Sequence, residues 1–79
     1  MEPEDVWTAA VAETLRAERA AARMTQQALA RRAGIPRATY RRYESGERAP
    51  NLAQLAQVAA ALGMPLSVFA ARVEGRVQR

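Results

Sequence analysis

The sequence predicts an all-α fold, five short helices in a single domain, and three observations carry that reading. The stretch QQALARRAGIPRATYRRYES, residues 26–45, contains two short runs of helical character. They are separated by Gly34, which can end a helix in the left-handed conformation, and by Pro36, which forbids simple continuation and biases Ile35 away from helical angles. Further on, Leu52, Leu55, Val58, Ala59 and Leu62 recur at helical spacing. Finally, alanine, leucine and valine supply most of a 49% hydrophobic fraction, with only four aromatic residues. That composition suits small helices packed closely and leaves no material for a large ligand cavity. The chain has 79 residues, enough for one domain. At this size only ~60–65% of the unfolded surface is buried, so the core is small.

Taken in order, the chain opens on the acidic segment MEPED. Residues 1–5 are expected to fray, or else to set their acids at the positive end of the first helix. That helix is expected over Val6–Arg23, with Val11, Leu15, Ala22 and Trp7 on its apolar side. Thr25 is a good N-cap for the second helix, although Ala28 stands where a capping box needs glutamate or glutamine. Leu29 and Ala33 give this helix a buried side, and Arg31 and Arg32 face solvent. Ala30 is small where the second and third helices must cross closely.

The third helix, Pro36–Ser45, puts Arg37, Ala38, Arg41 and Arg42 on one face and Tyr40 and Tyr43 on the other. Pro36 stands at its entry, as Pro65 does for the fifth helix, where a fixed φ and a missing N–H do no harm. The loop ESGERAPN is punctuated by Gly46 and Pro50. Asn51 then caps the fourth helix, with Gln54 three residues on as in a capping box, and Gly63 ends it. The fifth helix is expected over Pro65–Val73 with Leu66 and Phe69 inward, followed by a flexible polar tail over 74–79. The domain proper is thus 6–73.

Cysteine and histidine are both absent. This removes disulfides, thiolate metal sites, the usual general base and the commonest metal ligand. No paired carboxylates share a face and no glycine-rich phosphate loop is present. Neither an enzyme nor a metal, cofactor or small-molecule site is therefore expected. No apolar run approaches the ~20 residues of a membrane span, and no signal peptide is visible, so a cytoplasmic protein is expected.

The net charge of +4 is unevenly spread. Residues 1–18 hold five acids and one arginine, whereas residues 19–48 hold eight arginines and two acids. All twelve basic residues are arginine. A GC-rich genome would explain the choice of arginine over lysine, but not its clustering around the two-helix stretch.

The pattern Gln26, Leu29, Ala30, Gly34, Ile35, Thr39, Tyr43, Glu44 and Gly46, with Pro50 just beyond, resembles the helix-turn-helix of the phage-repressor family. This is the Cro and C1 (XRE-like) type of transcription regulator, and the resemblance covers roughly Val11–Phe69. It implies a compact lambda-repressor-like domain whose second and third helices form the motif. By the same resemblance Gln26 holds a DNA phosphate and Arg37 reads bases. Arg48 would lie against the backbone or minor groove, and Glu44 would form a structural ion pair with Arg19. It further implies a homodimer on a palindromic operator, since one motif reads too few base pairs to select a site. The chain departs from the pattern at Pro36, where serine or threonine is common. No hydroxyl there can contact a phosphate. It departs again near Arg23, where a short turn often carries glycine.

Arginine suits base reading because it can donate two hydrogen bonds to guanine O6 and N7, worth ~1–3 kcal/mol of discrimination. Arg37 and Arg42 are expected to contact bases, Arg41 a base or a phosphate, and Ala38 a thymine methyl. Thr25, Thr39 and Ser45 are further phosphate candidates, and Arg23 can reach a neighbouring strand. Met64, Val68, Ala71 and Val73 are expected to form a self-association patch, against the plainer reading of single exposed apolar residues.

The expected function is a sequence-specific double-stranded DNA-binding regulator, a repressor or autoregulating switch associated with the nucleoid. A restriction–modification controller is a close variant. An antitoxin with a toxin partner, or another protein-interaction module on the same fold, is the alternative.

Overall fold

A computed structural model of the protein describes residues 3–79, with side chains from Val6 onward. The helices are α1 (Pro3–Ala21), α2 (Gln26–Ala33), α3 (Arg37–Ser45), α4 (Leu52–Ala61) and α5 (Leu66–Gln78), with no strand among the described residues. The helix starts follow the capping residues. The Thr25 hydroxyl accepts from the Ala28 N–H at 3.0 Å. Asn51 and Gln54 close a reciprocal capping box, each side chain accepting from the other's backbone N–H at 2.8 and 3.0 Å. Pro36 and Pro65 occupy the N-cap positions of α3 and α5 in extended backbone, without a side-chain cap.

The helix ends share one device. Arg23, Gly34, Gly46 and Gly63 all have left-handed φ, at 57°, 73°, 82° and 79°. In each case the next residue's N–H returns to the carbonyl five positions back: Met24 to Arg19, Ile35 to Ala30, Glu47 to Arg42 and Met64 to Ala59, at 2.9–3.2 Å. These closures satisfy carbonyls that would otherwise be left open. The first of them ends α1 at Ala21, two residues earlier than the sequence suggested, and leaves Ala22 exposed.

α1 packs on α3 and α5, α2 on α3 and α4, and α4 on α5. Leu15, Leu29, Tyr40, Tyr43, Val58, Ala59 and Phe69 are fully buried where these faces meet.

Several expectations need correction. Leu52 is 70% exposed, because it is the first residue of α4 and its apolar stripe enters the core only from half-buried Leu55 to Val58. The polar tail is helical: α5 runs to Gln78, with Phe69 and Val73 buried and Val77 packed against the core. Arg76 and Arg79 reach back to Glu13 of α1 at 3.4 and 2.6 Å. Those pairs and the four-residue spacing 69, 73, 77 carry the helix past Val73. At the other end, Pro3–Asp5 belong to α1, and Met1 and Glu2 lie outside the described residues.

Candidate nucleic-acid interface

α3 is built so that one side anchors and the other is offered to solvent. Tyr40, Tyr43 and Glu44 are buried, while Arg37, Ala38, Arg41 and Arg42 are exposed. Ile35, buried just ahead of Pro36, fixes the entry to the helix. The ion pairs among the described residues use Arg19, Arg72, Arg76 and Arg79. None uses Arg37, Arg41 or Arg42, so three guanidinium groups stand together on the outward face without an acidic partner.

The anchoring side is polar at its centre. Glu44 is only 3% exposed, yet it is ionised and saturated with donors. Its carboxylate accepts from Arg19 Nε at 2.5 Å and Nη2 at 3.1 Å, from Tyr40 Oη at 2.5 Å, and from Gln26 Nε2 at 3.0 Å. Burial pushes its pKa up, but the hydrogen bonds from Arg19, Tyr40 and Gln26 outweigh burial and hold it below the ordinary carboxylate value. Burial and the bond to Glu44 push Tyr40 well above the usual phenol range, so its proton stays in place as a donor. The remaining Arg19 nitrogen, Nη1, donates to the Met24 carbonyl at 2.9 Å. Arg16 Nη1 donates to the Glu44 backbone carbonyl. One carboxylate thus joins α1, the α1–α2 turn, the start of α2 and the C-terminal half of α3.

This network bears on several expectations. Arg19 forms the ion pair with Glu44 that the resemblance implied, and its other side is engaged by the Met24 carbonyl. Gln26 has one amide N–H committed to Glu44, and the second has no partner among the described residues. The single Ser45 hydroxyl proton is shared between Arg42 O and Glu47 Oε1, both at 3.1 Å, within the loop that follows α3. Thr25 keeps its O–H free after accepting from Ala28, and Thr39 is half-buried on the flank of α3. Arg23 and Arg48 are exposed and outside every ion pair among the described residues.

The expected self-association patch is only partly at the surface. Val68 is 37% exposed and Ala71 is exposed, but Met64 packs half-buried against the core. Val73 is 5% exposed, turned inward because it shares the face of Phe69 one helical turn away. Sequence reasoning also missed two features. Arg16 lies one turn before Arg19 on α1, and that three-residue spacing was a readable sign that both face α3. The other is an apolar groove of about 480 Å³ between α1, the start of α4 and α5, with Trp7 and Leu52 among its lining residues. No local pattern signals it, because its walls come from three distant parts of the chain.

A family model described as helix-turn-helix matches residues 15–69, well over half of the chain. The chain belongs to the Cro/C1-type helix-turn-helix family. The matched span contains α2, α3 and the Glu44 network entire. This helix-turn-helix protein is a DNA-binding transcription regulator by family, and the family is typically without enzymatic activity. None of the curated proteins compared with it matches. Among the described residues no single helix is long and apolar enough to cross a membrane.

Proposed function

We propose that this helix-turn-helix protein is a repressor that binds a palindromic operator as a homodimer in the cytoplasm, reading the major groove with α3. The observation that carries the proposal is the pair of opposed faces on α3. Three unpartnered guanidinium groups project together, and a fully buried tyrosine pair and carboxylate hold the helix behind them. In this reading Arg37 and Arg42 contact guanines, Arg41 a base or a phosphate, and Ala38 a thymine methyl. Thr25, the free amide N–H of Gln26, Thr39, Arg23 and Arg48 face the backbone, where each neutralised phosphate adds affinity without sequence information. Val68 and Ala71 contribute to the dimer contact.

The test is selection of bound sequences from random DNA, with the wild type and with Arg37→Ala and Arg42→Ala. The expected result is a guanine-containing palindrome with half-sites about one helical turn apart. Each variant should lose preference at one guanine position by ~1–3 kcal/mol while keeping non-specific affinity. Equal weakening on every sequence would refute base reading by these residues.

The apolar groove favours a second reading, in which the same fold serves a protein partner, as in an antitoxin with its toxin. Co-purification of a partner together with weak, salt-insensitive DNA binding would select that reading. A restriction–modification controller remains a variant of the first, distinguished by its operator's position.

A further inference from the structure

The four helix closures invite comparison with one another. Gly34, Gly46 and Gly63 fill three of the four left-handed positions. An L-residue with a Cβ meets its own carbonyl in this conformation, so glycine is the least strained choice there. The fourth position, with the same 6→1 hydrogen bond, is held by Arg23 at φ 57°. Residues held in sparsely populated backbone regions cluster at functional sites, where the surrounding structure fixes them, so such an outlier points to a role for its side chain.

Among the described residues nothing depends on the Arg23 side chain. The Arg23 side chain is exposed, and no hydrogen bond or ion pair among the described residues uses it. Its location is nevertheless fixed firmly. One guanidinium, that of Arg19, binds both the carbonyl of the adjacent Met24 and the carboxylate of Glu44, and so ties this turn to α3. Gln26, three residues on, is tied to the same carboxylate. Arg23 therefore stands on a rigid turn beside α3, with a free, permanently charged fork.

We infer that Arg23 is a dedicated DNA-phosphate anchor, kept at a left-handed position at a cost to folding stability. The inference rests on the DNA-binding reading above and names the residue whose charge this turn carries at the expense of its fit to the fold. Glycine at this position would give a more stable protein that binds DNA less well.

The experiment measures thermal unfolding and the salt dependence of binding to a mixed-sequence DNA duplex several helical turns long. The variants are Arg23→Gly, Arg23→Lys and, as a charge-matched control at the far end of α2, Arg31→Ala. Arg23→Gly is expected to raise the melting temperature by about 4 °C. It should also reduce the slope of log K against log salt by ~0.9, the loss of one phosphate contact. Arg23→Lys should retain both wild-type values, and Arg31→Ala should retain the wild-type slope. The inference is overturned if Arg23→Gly leaves the slope unchanged, if it fails to raise the melting temperature, or if Arg31→Ala lowers the slope equally. A wild type with no salt-dependent DNA binding would instead refute the DNA-binding reading itself.

Discussion

Glu44 is the residue on which most of the interface depends. A buried charge is tolerated only where its partners offset the loss of water, and here four hydrogen bonds do so. Glu44→Ala should destabilise the fold by about 3 kcal/mol in chemical denaturation, because Arg19, Tyr40 and Gln26 would lose their acceptor together. Tyr40→Phe removes one donor of several and should cost about 1 kcal/mol. The depressed pKa of Glu44 also sets an acid limit. Its contribution is present above the ordinary carboxylate value of 4.5 and is lost as pH falls through the lower folded value. Stability measured by denaturant midpoint should therefore be flat near neutrality and decline below about pH 4.5 in the wild type, and more shallowly in Glu44→Ala. The ion pair itself was legible in the sequence by resemblance. The side of α1 that carries Arg16 was readable from its spacing to Arg19, but the bonds that Arg16, Tyr40 and Gln26 make to Glu44 were not, since they depend on which atoms three helices bring together.

At the scale of elements, helix starts and stops were the most readable feature. Thr25, Asn51, Gly34 and Gly63 act locally, through hydrogen bonds to residues a few positions away, so sequence order alone reveals them. The length of α5 was not readable in this way. Residues 74–79 look polar and loose, and they are held by Glu13, more than sixty positions earlier in the chain. Removing residues 75–79 deletes Val77 and both arginine partners of Glu13. It should lower stability by roughly 1–2 kcal/mol, most of it from the apolar contact and little from the exposed ion pairs. A truncated protein with an unchanged denaturation midpoint would contradict the view that this turn of α5 is structural. Leu52 teaches the converse lesson: a residue in helical register with a core stripe still lies outside the core when the stripe begins beyond the packed surface.

Across the whole molecule the arginines divide by task. Those of α1 and α5 are engaged internally, Arg16 and Arg19 with Glu44, and Arg72, Arg76 and Arg79 with Glu18 and Glu13. Those from Arg23 to Arg48 are exposed and enter no ion pair among the described residues. Three carboxylates offset the arginines of α1 and α5. The seven from Arg23 to Arg48 keep their charge uncompensated by any ion pair among the described residues, Arg32 donating only to the Ala61 carbonyl. This positive charge can steer a polyanion. The large exposed apolar residues, Trp7, Leu52 and Val68, lie outside α2 and α3, and Val68 belongs to the self-contact of the proposed homodimer. Val68→Asp should leave the monomer folded, since Val68 is partly exposed, and weaken self-association by about tenfold or more in sedimentation. If the variant sediments on DNA as the wild type does, Val68 lies outside the proposed dimer contact.

By itself the sequence determined the all-α class, the turns closed by Gly34, Gly46 and Gly63, the opposed faces of α3 and the family. The first three follow from contacts within a few residues or from periodicity along one helix, and the family from the resemblance of the motif residues. The tertiary structure decided which arginines remain unpaired, which apolar residues line a groove instead of the core, and how far α5 extends. Those outcomes depend on helix faces meeting across long stretches of chain, and local pattern carries no record of which faces meet.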